Sequence, residues 1–161
     1  MTRMGWQTEG CRRGAFLAAA LVLPLPALAQ SFPEGCWVRD YTPEHLAAHP
    51  AQVVGHLDLH FTETNVGPTL ILRATPVGGG PTLRQEAICS RGDDIWNCAV
   101  ECDGGVLTAQ RRNDVTLDIV TPFFLVGEEG AGCDSGLDLA EAPGEDTTYR
   151  LFRQEVAACQ N

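Results

Sequence analysis

The chain is a succession of short alternating runs, broken by turn residues at regular intervals, and this rhythm limits the fold most. In residues 53–61, Leu57, Leu59 and Phe61 fall on one face and His56, Asp58 and His60 on the other. Further strands are expected at 36–41, 69–75, 83–89, 95–101, 106–111, 115–121 and 148–153. Trp96, Cys98 and Val100 share a face, as do Val115, Leu117 and Ile119. Asp103-Gly104-Gly105 and Asn113-Asp114 supply tight turns, since glycine accepts the positive φ that such turns require. Helix signals are confined to one place. Thr42 is an N-cap, Pro43 takes the first position, Glu44 lies in the first turn and Pro50 is the stop. The expected fold is all-β: a small antiparallel up-and-down β-barrel of about eight strands with one short helix, stabilised by disulfides. Closure into a barrel removes exposed edges; a sandwich of the same strands is the alternative.

The first 29 residues read as a cleaved secretory signal peptide. Arg3, Arg12 and Arg13 form the positive leader, an apolar stretch follows, and Ala27-Leu28-Ala29 is the cleavage triplet. Residues 30–161 then form a single domain. No second apolar run of that length exists, so no stable membrane insertion is expected after cleavage. The expected location is the periplasm or the outside of a bacterial cell.

Cleavage would remove Cys11 and leave Cys36, Cys89, Cys98, Cys102, Cys133 and Cys159. An even set in an oxidising compartment implies three disulfides, and sequence alone leaves the pairing open. The expected pairing is Cys36–Cys159, which ties both ends, Cys89–Cys98 across a turn, and Cys102–Cys133. The alternative exchanges Cys98 and Cys102.

The formal charge is −10, and loss of the leader takes it to about −12. There is no Lys at all. Such a surface repels nucleic acid and anionic headgroups and suits a basic protein partner.

Four histidines, His45, His49, His56 and His60, fall in one short window. His45 and His49 share a helix face, and His56, Asp58 and His60 share a strand face. If helix and strand converge, imidazoles and a carboxylate make a zinc or copper site. The segment 127–147 is acidic, with Glu128, Glu129, Asp134, Asp138, Glu141, Glu145 and Asp146, but it lacks calcium-loop spacing. Asp93-Asp94 with Glu101 and Asp103 are read as turn carboxylates rather than an acid–base pair. Arg91-Gly92-Asp93 is read as plain turn chemistry. Ser31, Ser90 and Ser135 lie in no nucleophile elbow, and the cysteine count leaves no free thiol. No enzymatic activity and no cofactor are therefore expected.

Gly35-Cys36-Trp37 at the start of the first strand resembles the Gly-x-Trp of lipocalin-type barrels. In those barrels a late Arg packs across the Trp, so the resemblance implies that Arg150 or Arg153 closes the barrel on Trp37. It also implies an up-and-down barrel with a ligand cavity or a protein-binding mouth. The segments 45–52, 101–105 and 150–153, with Cys159, resemble a group of small uncharacterised exported bacterial proteins, which implies no activity. The leading expectation is a disulfide-braced binding module for a small apolar molecule or a basic envelope protein. The alternatives are a zinc- or copper-binding periplasmic protein built on the 45–60 histidines, and a purely structural envelope protein.

Overall fold

A computed structural model describes residues 31–101, 103–127 and 135–160. The expected signal peptide, Cys11, the Cys102–Cys133 pair, and Glu128, Glu129 and Asp134 lie outside the described residues.

Nine strands form in chain order: β1 Gly35–Asp40, β2 Val54–Thr64, β3 Gly67–Pro76, β4 Leu83–Arg91, β5 Trp96–Ala99, β6 Gly105–Arg111, β7 Thr116–Val126, β8 Leu137–Asp138 and β9 Thr147–Gln154. Each of β1 to β7 pairs antiparallel with its successor, β9 inserts between β7 and β1, and β6 pairs with β7. Eight strands thus close a ring, and β8 is an extra two-residue partner on the end of β7. The strands close as a barrel, not as the alternative sandwich. Helix is limited, among the described residues, to α1, Pro43–Ala48, and one 3-10 turn, Val156–Cys159. Thr42 caps α1 as expected: its hydroxyl accepts from the His45 N–H.

The alternation sets the core. Leu57, Leu59 and Phe61 of β2 face inward beside Leu70 and Leu72 of β3, Leu107 of β6, Leu117 and Ile119 of β7, and Leu151 of β9. These are fully buried and belong to one continuous cluster that fills the interior. Barrels of about eight strands are just wide enough for side chains to meet in this way.

Two stretches depart from the expected pattern. β7 runs on to Val126 past Pro122, which has no N–H for the ladder. The β6–β7 register shifts there, between Val106 and Thr108, and the Thr121 hydroxyl donates to the Val106 carbonyl. A bulge is where a strand tolerates proline. The acidic 127–147 segment, where no strand was expected, contributes β8. Asp138 is fixed there, because its carboxylate accepts from the backbone N–H groups of Phe124 and Ala140.

Two disulfides are present among the described residues. Cys36 joins Cys159, with Cα atoms 5.8 Å apart, and fastens the 3-10 turn to the outside of β1. Cys89 and Cys98 are direct cross-strand partners on β4 and β5, and their bond lies inside the core. Both are compatible with an oxidising extracellular environment. In the β5–β6 turn, Asp103 has φ 58° and Gly105 φ 102°. A Cβ on Gly105 would clash with the Phe123 carbonyl, so that position requires glycine for space as well as for φ.

Candidate functional site

The chain path gives the barrel two unlike ends. β1, β3, β5 and β7 run toward one end, where α1, the β5–β6 turn and the β8–β9 connection also lie. Exposed carboxylates lie at both ends: Asp40, Glu44, Glu101, Asp103, Glu141, Glu145 and Asp146 here, and Glu34, Glu63, Asp93, Asp94, Asp114 and Glu155 at the other. Among the described arginines, only Arg39 and Arg84 sit at strand ends there. Arg91, Arg111, Arg112 and Arg153 belong to the opposite end. The ends of the described structure differ mainly in arginine, so the first is the more acidic and the second is the less acidic.

Asp93-Asp94 and Glu101-Asp103 fall at opposite ends of β5, about 13 Å apart at strand rise. They do not form a pair for acid–base chemistry.

At the less acidic end, Trp37 is fully buried and its indole N–H donates to the Pro33 carbonyl at 2.7 Å. The Arg153 guanidinium lies 5.5 Å from the Trp37 ring centroid and donates to the Glu34 carbonyl. Arg153 thus takes the barrel-closing position. Arg150 does not: it faces outward on β9 and binds Asp118 with Nε at 2.7 Å and Nη2 at 2.9 Å. Arg112 binds the same carboxylate at 2.7 Å. Asp118 is an outward residue of β7 whose side chain is only 2 % exposed, because these two guanidinium groups cover it. The Arg150 bonds foremost, against burial, lower its pKa. An open cleft of about 380 Å³ lies beside this end, between Gly35, Val115 and residues 153–156, outside the barrel interior.

The expected histidine set is not brought together. His45 and His49 stack on α1 with centroids 4.1 Å apart, and the His45 ring rests 4.8 Å from that of Tyr41. His56 instead engages β1: one ring nitrogen meets Asp40 at 2.6 Å and the other meets Asp58 at 3.2 Å. His60 pairs in register with Cys36 and Ile71. Among the described residues no group of three or more His, Cys, Asp or Glu is placed to hold a metal ion. Two nearby carboxylates hold His56, on its own strand and the adjacent one, before any helix histidine can reach it.

Asp58 faces outward, yet its side chain is only 5 % exposed, since Arg73 on β3 binds it at 3.0 Å. The row Asp40–His56–Asp58–Arg73 alternates in sign across β1, β2 and β3. The Asp58 bond above all, with Asp40, raises the His56 pKa to about 9. A histidine with a raised folded-state pKa contributes stability that is full below its unfolded value of about 6.5 and disappears as pH rises through the folded value. Wild-type stability is expected to fall between pH 7 and 10 relative to a His56→Gln variant, whose profile is flatter. Urea unfolding midpoints across that range check this; parallel profiles would contradict the role given to His56.

At the acidic end, Tyr41 lies half-buried among Arg39, Gln52 and Glu141. Burial raises its pKa, and the Arg39 charge and the neighbouring donors offset this only in part. Tyr149 is fully buried behind this group and donates to the Leu139 carbonyl at 2.6 Å. Sequence reasoning did not single out Arg39, Tyr41, Gln52, Arg73 or Asp118. Their partners come from strands far apart in the chain, and no local spacing announces them.

No family model, no curated protein and no solved structure matches this chain. The class defined by the fold is a disulfide-linked, eight-stranded up-and-down barrel with a filled interior and a surface more acidic at one end.

Proposed function

We propose that this protein is an exported, non-enzymatic binding module of the bacterial cell envelope, and that it recognises a basic protein through the acidic end of its barrel. The observation that carries this reading is the uneven charge of the two ends. Glu101, Asp103, Glu141, Glu145 and Asp146 lie at one end with few arginines, while Arg91, Arg111, Arg112 and Arg153 offset the exposed carboxylates of the other. The filled interior favours the outer surface over a ligand held within the barrel. Clustered carboxylates steer a cationic partner, and their pull weakens rapidly as salt screens them.

A basic lysozyme is a suitable probe. Titration calorimetry at low ionic strength is expected to show saturable binding that weakens at least about tenfold at 0.15 M salt. Exchanging Glu145 and Asp146 for Lys is expected to weaken it at low salt by a similar factor. Salt-independent binding, or none at low salt, contradicts the reading.

A further inference from the structure

The outer face of the barrel carries one row that breaks its polar pattern. Ile88 on β4 is the register partner of Ala99 on β5, Ala99 of Val106 on β6, and Val106 of Phe123 on β7. All four are exposed: Ile88 by 49 %, Val106 and Phe123 by 40 % each, with Ala99 between them. Four adjacent strands thus present an apolar band about 14 Å across. The next outward row on the same strands is polar, Ser90–Asn97–Thr108. Of the other exposed valines, Val66, Val77 and Val115 lie in turns and Val156 in the 3-10 turn. Scattered apolar side chains on a surface are ordinary; a contiguous band with a polar border marks a contact surface.

The band depends on the β6–β7 bulge. From Val106 to Thr108, β6 advances two residues, while β7 goes back three, from Phe123 to Val120. The extra residue reverses the alternation, so Phe124 enters the core and Phe123 joins Val106 outside.

The border indicates what covers the band. Glu86 is the outward neighbour of Ile88 on β4, and Glu101 and Asp103 stand in the turn between Ala99 and Val106; all three are exposed. Arg84, the cation near this border, faces Glu86 at 3.5 Å. A second copy would bring the same carboxylates against these, with a formal charge of −10 on each molecule. A surface carrying cations is attracted instead. We propose that the row Ile88–Ala99–Val106–Phe123 is the dry centre of a docking surface, and that its partner is a protein whose own apolar patch is bordered by lysine or arginine. Phe123 is the aromatic anchor, and Glu86, Glu101 and Asp103 form the polar rim. The cationic half of this partner rests on the basic-protein reading above; the apolar half rests on the row.

The test follows the methyl signals of Ile88 and Val106 and the ring signals of Phe123 in ¹³C-labelled protein by NMR. Two amidated peptides of equal length and lysine content are titrated, one alternating leucine with lysine and the other serine with lysine. The leucine peptide is expected to shift the row's signals saturably and to bind at least about tenfold more tightly than the serine peptide. Phe123→Ser is expected to abolish that preference, and Val66→Ser to preserve it. The backbone amide spectrum of each variant reports whether its fold is intact; Ile88→Thr, β-branched and suited to a strand, serves if Phe123→Ser disturbs the barrel. Unmoved row signals, equal affinity for the two peptides, or full preference in a folded Phe123→Ser variant would overturn the proposal. So would a wild-type dimer in sedimentation that Phe123→Ser dissolves, since the row would then belong to a second copy. A basic lysozyme is titrated into the same variants. Binding that Phe123→Ser weakens at least about tenfold, with its salt dependence unchanged, supports the proposal. If lysozyme binds wild type and Phe123→Ser equally, the row fails and the basic-protein reading stands. If the leucine peptide is preferred and lysozyme does not bind, the row stands and the basic-protein reading fails.

Discussion

Removing the Cys36–Cys159 bond by a Cys36→Ser, Cys159→Ser double substitution is expected to destabilise the protein by about 5 kcal/mol. The two cysteines are 123 residues apart, so the bond closes nearly the whole domain into one loop. In the chain-entropy view, the unfolded chain regains most freedom when the longest loop is opened. The Cys89–Cys98 bond spans a separation of 9, and its removal is expected to cost about 3 kcal/mol by the same relation. A small domain has only about 5–15 kcal/mol in total, so the first loss threatens folding at body temperature. Urea unfolding of the two double variants checks the order. Equal losses, or a larger loss for Cys89–Cys98, would contradict the entropic explanation.

Trp37→Ala is expected to cost about 3–5 kcal/mol. Three effects combine at this residue. A fully buried indole is removed from the core, leaving a cavity between β1, β2 and β9. The Pro33 carbonyl loses its donor, and the Arg153 guanidinium loses the ring beneath it. Trp37→Phe retains much of the volume and the ring, so its cost is expected to be about half as large. Arg153→Ala leaves the core intact, and its cost is expected to be about 1 kcal/mol or less. Denaturant midpoints of the three variants test this ranking. A Trp37→Ala variant as stable as Arg153→Ala would show that the interior is not packed around the indole.

The barrel itself was legible because alternation reports burial one strand at a time. Leu57, Leu59 and Phe61 face inward as the period of two requires, and the Asp103-Gly104-Gly105 turn has the positive φ values its composition promised. Loop length and the position of the two ends pointed to Cys36–Cys159 and Cys89–Cys98. The Gly-x-Trp at β1 pointed to a closing arginine, although only the ladder distinguishes Arg153, in register with Trp37, from Arg150.

The polar surface was not legible, for a physical reason. An outward position on a strand is normally wet, so Asp58 and Asp118 read as ordinary surface carboxylates. They are buried because Arg73, Arg112 and Arg150 lie over them, and that depends largely on strand register. The histidine window misled for the same reason. Closeness in sequence placed His56 near His45 and His49, but the β1–β2 register placed it opposite Asp40. The unequal charge of the two ends likewise follows from strand direction, since residues far apart in sequence meet only where alternate strands stop.

Recognition on the outside of a filled barrel, at its acidic end, has a sharp test in amide shift mapping. The ¹⁵N-labelled protein is saturated with a basic lysozyme at low salt. Shifts are expected at Glu101, Asp103, Glu141, Glu145 and Asp146, with Leu59, Leu72 and Ile119 unmoved. Shifts centred on the inward residues, or at the Arg91, Arg111 and Arg112 end, would contradict it.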